Sequence, residues 1–527
     1  MTSIPAFEHT PIDKISNICG DVRNAFLSHK TRPIEFRLQQ LRKLYWGLKD
    51  HREAIVEACK KDIGKSSFET YLTESSWCEN DIIFMCNNLE AWAKDEKAPD
   101  GKLMDTAFSP RIRKEPLGTV LVIGAYNFPI QLSLGPVIVA IAAGCTVVLK
   151  PSENAPHAGA VMQKILAEYL DPTCYTTIQG AVPETTAVLD QKWDKIFYTG
   201  SEAVGKIIAK KAAETLTPIT LELGGRNPAI VTKNADPRLA ARRLMWAKCL
   251  NAGQVCVSQN YTLIDKSILP AFIEQVKKAL GEFFPDGPQK SADYGRIVNK
   301  RQFDRLKKLL ESTKGTILHG GHMDEADLYI EPTVVQVNDE HDPLLADESF
   351  GPLIPVLAVN DIDEAIRIAN SVHDTPLGIY PFGTTAETDK ILNQTRSGGA
   401  SVNDGFYHAS IPTLQFGGVG TSGQGAYRGR ASFECFTHRR SVTTTPGWIE
   451  GLLDVRYPPY NMSKQKQFAR LNEATPNFDR QGRAKASWGG WLIGLGANSK
   501  GSGLVRWAVL IALAYATKHY MQRTSKL

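Results

Sequence analysis

Three residues in this sequence have the types and settings for nucleophilic, acid–base and oxyanion chemistry. Cys256 lies in Asn251–Tyr261, NAGQVCVSQNY, after a small-residue turn in which Gly253 lets the backbone approach closely. A cysteine attacks only as its thiolate. With nine cysteines in the chain, one of them taken alone reads more readily as a structural thiol. Glu222 lies in TLELGGRN, at the end of an apolar strand and just before Gly224-Gly225. A carboxylate is costly to bury there unless it is paired or neutral. It is either a surface strand end or a general base whose pKa an apolar site has raised. Asn127 lies in GAYNFP. Its amide could donate to a developing oxyanion, or the residue could simply form a turn ahead of Pro129.

A fourth segment has the pattern for binding phosphate. Tyr198–Lys206, YTGSEAVGK, runs from a strand through Gly200-Ser201 into a helix that includes Gly205. Free N–H groups at such a helix start suit a pyrophosphate. The one GxGxxG match, at Gly418, Gly420 and Gly423, has no strand-turn-helix unit with a downstream acidic residue. It reads as a glycine-rich loop and not as a nucleotide fingerprint.

The elements that must position these residues are legible from periodicity. Helical spacing recurs over Arg37–Lys49, over Glu53–Lys61 and through Trp77, Phe84 and Trp92, ahead of a loop at Asp95–Lys102. From Leu117 the texture becomes α/β. Strands are expected at Gly118–Gly124, Cys145–Lys150, Cys174–Gln179, Lys195–Thr199 and Ile219–Leu223. Helices at Pro129–Ala143, His157–Leu170 and Ala203–Leu216 separate them. Such alternation predicts βαβ units and a parallel sheet. A second α/β run continues from Pro228 to about Asn403, with strands at Val255–Ile264 and Val356–Val359. Its helices are expected at Leu269–Phe284, Gln302–Ser312 and Ile362–Ala369.

Composition narrows the class. At about 150 residues per domain, 527 residues suggest roughly three to four domains. Hydrophobic residues at 43% and charged residues at 22% exclude a collagen, a disordered chain or a polytopic membrane protein. A net charge of +5 is too small to argue for nucleic acid. The nine cysteines are never spaced as CxxC, which gives neither a disulfide framework nor a metal signature. No basic segment followed by an apolar run opens the chain, so no secretory signal is expected there.

Taken in order, these motifs resemble the aldehyde dehydrogenase superfamily over roughly Arg37 to Val442. ELGG and GQxC stand 34 residues apart from Glu222 to Cys256, as in that family. KPSE at Lys150–Glu153, YTGSEAVG at 198–205 and ESFGP at Glu348–Pro352 are further signatures. The block Gln415–Ser441 resembles the class-3 branch, which includes fatty aldehyde dehydrogenases.

The resemblance implies a Rossmann-type cofactor domain (1–98 and 116–223) and a second α/β catalytic domain (224–404). It also implies a small β bridging and oligomerisation element (99–115 and 405–442), and with it a homodimer. Cys256 would form a thiohemiacetal, then a thioester. Asn127 and the Cys256 N–H would hold the oxyanion, and Glu222 would activate the hydrolytic water. Lys150 and Glu153 would contact the adenosine ribose, and Gly200, Ser201 and Gly205 would belong to the pyrophosphate site. Glu348 would hold the nicotinamide ribose, with Phe350 near the ring. A Glu153 facing the 2′-hydroxyl would favour NAD, with NADP possible.

Two features depart from the family pattern. Arg226-Asn227 replaces the usual Lys after ELGG, and Val257-Ser258-Gln259-Asn260 replaces the common Ala-Pro-Asp run; both are expected to reshape the pocket floor.

The tail from Thr443 to Leu527 has 12 Lys/Arg against 4 Asp/Glu, a charge of +8, so the preceding body carries −3. It holds two apolar islands, Trp488–Ala497 and Leu504–Thr517. The second, 14 residues interrupted by Arg506, spans about 21 Å as a helix, short of a hydrocarbon core of roughly 30 Å. Attachment to a membrane surface is therefore expected over a crossing, with packing on the enzyme's own body as the alternative. Fatty aldehyde dehydrogenases often carry such an extension, which favours the membrane. The terminal Ser525-Lys526-Leu527 matches a peroxisomal address. The expected location is a peroxisome, membrane-associated, with a tail-anchored endoplasmic-reticulum enzyme as the alternative.

The expected reaction is oxidation of long-chain apolar aldehydes to acids, with apocarotenals as a close alternative. An acyl transferase to CoA and a silent membrane-tethered binding protein remain the other classes.

Overall fold

The computed structural model describes residues 4–98, 106–474, 476–484 and 506–515. These fall into two compact units, Met1–Pro99 with Pro110–Val442, and Asp100–Ser109 with Thr443–Leu527.

The first unit is α/β, as its alternating pattern requires. One sheet has the strand order Gly423–Gln424, Ile219–Glu222, Lys195–Thr199, Thr119–Ile123, Thr146–Lys150, Tyr175–Thr177. Its strands are parallel except for the Gly423–Gln424 edge. From Thr119–Ile123 the chain first builds outward through Thr146–Lys150, then returns to add Lys195–Thr199 on the other side. The strand order therefore reverses at Thr119–Ile123, and open parallel sheets bind ligands at such a reversal. The helix Gln131–Ala143 is apolar on every side, and all its residues are buried beneath this sheet and its neighbouring helices.

The second sheet has seven strands, with Tyr261–Asp265 and Pro228–Val231 near its middle. The largest apolar core cluster covers it, including Leu244, Phe272 and Val356. A third, three-stranded sheet joins Glu96–Lys97, Arg111–Pro116 and Thr437–Val442, with Thr437 opposite Pro116.

The structure corrects several expectations. The strand expected over Val255–Ile264 begins only at Tyr261. Ser258, Gln259 and Asn260 are buried polar residues whose side chains bond to the helix Pro237–Cys249 and to the loop at Ser349 in place of strand pairing. Part of the expected Asp95–Lys102 loop is the Glu96–Lys97 strand. The helices Val182–Leu189 and Pro237–Cys249 were not expected. The last had a readable start: Asp236 accepts from the N–H groups of Arg238 and Leu239, with Pro237 in the first helical position.

The second unit contains the helix Met462–Asn472, capped by Asn461, and a helix over 506–515 whose residues are exposed. No helix among the described residues is long and apolar enough to cross a membrane. The island Trp488–Ala497 and the terminal Ser525-Lys526-Leu527 lie outside the described residues.

Candidate active site

The loop carrying Cys256 is built from an unusual backbone. Asn251, Ala252 and Gly253 take left-handed φ values of 52°, 50° and 74° in succession. Gly253 is required there twice over, because a Cβ would also meet the Gly351 carbonyl oxygen at 2.3 Å. The strained turn is held by side chains. Asn251 Nδ2 donates to the carbonyls of Asn127 (2.8 Å) and Gln254 (3.1 Å). Gln254 Nε2 donates to the carbonyls of Asn251 (3.1 Å) and Arg296 (2.8 Å). Beyond the turn, Asn227 Nδ2 donates to the carbonyls of Cys256 (2.8 Å) and Ser258 (2.9 Å).

Cys256 is partly exposed and lines two cavities. The first, about 490 Å³, is walled chiefly by apolar and aromatic side chains, among them Trp77, Phe128, Trp246, Val257 and Phe406. The second, about 660 Å³, lies at the strand-order reversal. Burial pushes the Cys256 thiol up to about 12, and the carboxylates of Glu348 and Glu222 add to the shift.

Most of the residues read from the sequence meet around the second cavity. Asn127, Lys150, Glu153, Gly200, Ser201, Glu348 and Phe350 all line it together with Cys256. Asn127 is almost fully buried and gives one amide hydrogen to the Gln254 carbonyl at 3.0 Å. Lys150 is buried, 3.6 Å from Glu153, whose side chain is 40% exposed. Desolvation lowers the Lys150 pKa. Burial raises Glu348 to about 7, against the opposing pull of the Gly225 N–H, Lys248 and Arg305. Phe350 has φ 48° and meets Tyr126 edge-on at 6.0 Å.

Two predicted residues sit elsewhere. Gly205 is buried one turn into the helix Glu202–Ala213, against Leu223, where it permits close helix–strand packing. Glu222 lines neither cavity. It is 2% exposed, and neither carboxylate oxygen has a hydrogen-bond partner. Desolvation alone raises its pKa well above the ordinary value. Behind it runs the glycine-rich loop, with Gly423 paired opposite Glu222. A Cβ on Gly423 would lie 2.3 Å from the Leu221 carbonyl oxygen. The GxGxxG match is thus a close-packed backing for the Glu222 strand.

The departures also find their places. Arg226 donates to the Ala346 carbonyl at 2.9 Å, and Asn260 Oδ1 accepts the Ser349 N–H at 2.8 Å. Of Val257–Asn260 only Val257 reaches the apolar cavity. Ser258 and Gln259 instead bond to the helix Pro237–Cys249, and Asn260 to the Ser349 loop; none of the three lines that cavity.

The second cavity suits an NAD(P) molecule. The helix Glu202–Ala213 starts at its wall with no side-chain cap on its first-turn N–H groups. Lys150, Arg301 and Arg305 supply cationic lining. Glu153 and Glu348 offer carboxylates suited to ribose hydroxyls at separate points of the same cavity.

Residues 3–442 match the sequence profile of the Aldehyde dehydrogenase family. The chain is 50% identical to the beta-apo-4'-carotenal oxygenase of Neurospora crassa, over 99% of this chain and 98% of that one. It is 42% identical to the dimeric NADP-preferring aldehyde dehydrogenase of Mus musculus, over 85% of this chain and 98% of that one. Among solved structures, the substrate-bound state of Staphylococcus aureus AldH superposes with a TM-score of 0.84 at 37% identity, over 87% of this chain and 99% of that one. The chain belongs to the aldehyde dehydrogenase family and is an NAD(P)-dependent enzyme of that family.

Proposed function

We propose that this enzyme oxidises long apolar aldehydes to carboxylic acids, with Cys256 as nucleophile. The observation that carries this reading is that Cys256 lines both an apolar cavity and a cofactor-sized one that carries charged side chains. An extended apolar chain fills the first with its carbonyl at the sulfur. Loss of the thiol proton to solvent water and attack of the sulfur on the carbonyl carbon give a thiohemiacetal, whose oxyanion takes the second amide hydrogen of Asn127 and the Cys256 N–H. Lys150, Glu153, Ser201 and Glu348 would hold NAD(P), which would supply the hydride acceptor for oxidation to the thioester. Glu222 then takes a proton from the water that releases the acid. It must turn from its buried position to do so, because it lines neither cavity. Its negative charge raises the cost of forming the Cys256 thiolate.

Fatty aldehydes and apocarotenals share this chemistry. The near-complete match to the Neurospora crassa protein, named for an apocarotenal, favours the latter among long substrates. A series of kcat/KM from hexanal to hexadecanal, with an apocarotenal alongside, tests the reading. Preference for the longest and the polyene substrates is expected; preference for short soluble aldehydes overturns it. Undiminished turnover of Glu222→Gln with CoA present would instead indicate thioester transfer.

Four further proposals concern the modules, the assembly and the tail. The cofactor, catalytic and bridging modules follow the boundaries given above. The open edge of the Thr437–Val442 strand, paired on one side only among the described residues, supports a homodimer, testable by sedimentation. The basic, partly apolar tail falls within the near-complete match to the Neurospora crassa protein, and its charge and apolar islands support peripheral attachment to lipid. The terminal Ser525-Lys526-Leu527 supports a peroxisomal address. Imaging the full chain beside one lacking that tripeptide decides this, and an unchanged distribution overturns it.

A further inference from the structure

Behind Asn127 lies a buried ion pair that the chemistry above does not use. Lys65 and Glu74 have fully buried side chains, Nζ to Oε1 2.5 Å. Neither lines a cavity. Lys65 follows the helix Arg52–Ile63, and Glu74 belongs to the single π-turn Tyr71–Ser75, an irregularity that often marks functional positions.

The partners of this pair converge on one short segment. Lys65 Nζ also donates to the Asn127 carbonyl at 3.0 Å, and the ammonium stands 4.2 Å from the Phe128 ring centre. Glu74 Oε2 accepts the N–H groups of Ile130 (3.1 Å) and Gln131 (2.9 Å). The five residues Asn127 to Gln131 are therefore gripped at both ends. The same stretch reaches the nucleophile loop, because the Glu69 carboxylate accepts the Asn251 N–H at 3.3 Å. Asn251 in turn donates to the same Asn127 carbonyl that Lys65 holds.

Stability is a poor account of such a pair. Desolvating two charges costs about as much as their attraction returns, and apolar replacements are often neutral or better. What a charged pair adds is direction, because its hydrogen bonds fix the atoms they meet.

We infer that Lys65 and Glu74 are positioning residues that lock the Asn127 turn, so that its amide meets the oxyanion formed at Cys256. The inference rests on the reading of Asn127 as an oxyanion donor. A displacement near 1 Å at such a donor can cost about 10²-fold in rate, so a loosened turn should be visible in kcat.

The test is a mutant cycle on the full chain. Lys65→Met alone strands a buried carboxylate and endangers folding, so the pair is neutralised together as Lys65→Met/Glu74→Gln. Asn127→Ala and the triple variant complete the cycle. Asn127→Ala should lower kcat about 10²-fold. The double variant should lower kcat at least about tenfold, with the KM for NAD and the binding of NADH unchanged. In the Asn127→Ala background it should cost nothing further. Full kcat in the double variant overturns the inference, and so does an equal loss with and without Asn127, which marks general support of the fold. If Asn127→Ala itself leaves kcat intact, the oxyanion reading fails and the inference with it. Should the double variant not fold, Lys65→Arg keeps the charge but displaces the Asn127 carbonyl. It should lower kcat at constant KM for NAD, and retained kcat overturns the proposal.

Discussion

Asn227 Nδ2 donates to the carbonyl of Cys256 at 2.8 Å, from the position just after the Arg226 that replaces the family's usual Lys. Its second amide hydrogen goes to Ser258, and its Oδ1 accepts the Gly378 N–H at 2.9 Å. One buried side chain thus ties the nucleophile's own peptide to the neighbouring strand. Asn227→Leu strands two carbonyls and one N–H. It should lower stability by about 1–3 kcal/mol per stranded group and kcat by about 10–100-fold. Thermal unfolding and steady-state kinetics check this; a loss of stability with kcat preserved would show that Asn227 does not position Cys256.

Glu222 ties activity and stability to pH in opposite directions. Its folded pKa is raised, so between the unfolded and folded values the native state binds more protons than the unfolded chain. Its contribution to stability therefore falls as pH rises through that window. Glu222→Gln should unfold at a higher temperature than the wild type at pH 9, with the gap closing near pH 4. The same variant should accumulate acyl-enzyme, visible as a burst of NADH without turnover. An equal Tm difference at both pH values would show that Glu222 does not titrate as its burial requires.

Cys256 is held as a thiol, its pKa pushed up to about 12 by burial and two carboxylates. In the cofactor-free enzyme its alkylation by iodoacetamide should rise about tenfold per pH unit from pH 7 to 10. Peptide mass spectrometry follows the site directly. A plateau below pH 9 contradicts the expectation.

Glu153 is a part-exposed carboxylate in the cofactor cavity, 3.6 Å from Lys150. Removing its charge in Glu153→Ala leaves Lys150 free to meet a 2′-phosphate. The ratio of kcat/KM for NADP to that for NAD should rise about tenfold or more. An unchanged ratio places the 2′ position elsewhere.

The apolar cavity should read chain length through Val257, the one residue of its short run that faces it. Val257→Phe fills space beside Cys256. It should lower kcat/KM for hexadecanal about 10–100-fold more than for hexanal. Equal losses for both would place the chain outside this cavity.

The sequence by itself determined the chemical groups and the strands that present them. Cys256, Glu222 and Asn127 stood out because each sits beside a local signal: a small-residue turn, an apolar strand end, a turn before a proline. The parallel sheet was legible for the same reason, since strand and helix periodicities are written in consecutive residues. Tertiary structure alone decided what surrounds those groups. Lys65 meets Asn127 across 62 residues, Glu69 meets Asn251 across 182, and Gly423 backs Glu222 from a loop that resembles a nucleotide motif. None of these pairings leaves a periodic trace, because a buried hydrogen bond constrains two distant positions and nothing between them. The merging of two cavities at one sulfur is likewise a property of packed loops. The chain's own order of residues names the nucleophile; only the fold determines where its substrate and cofactor can stand.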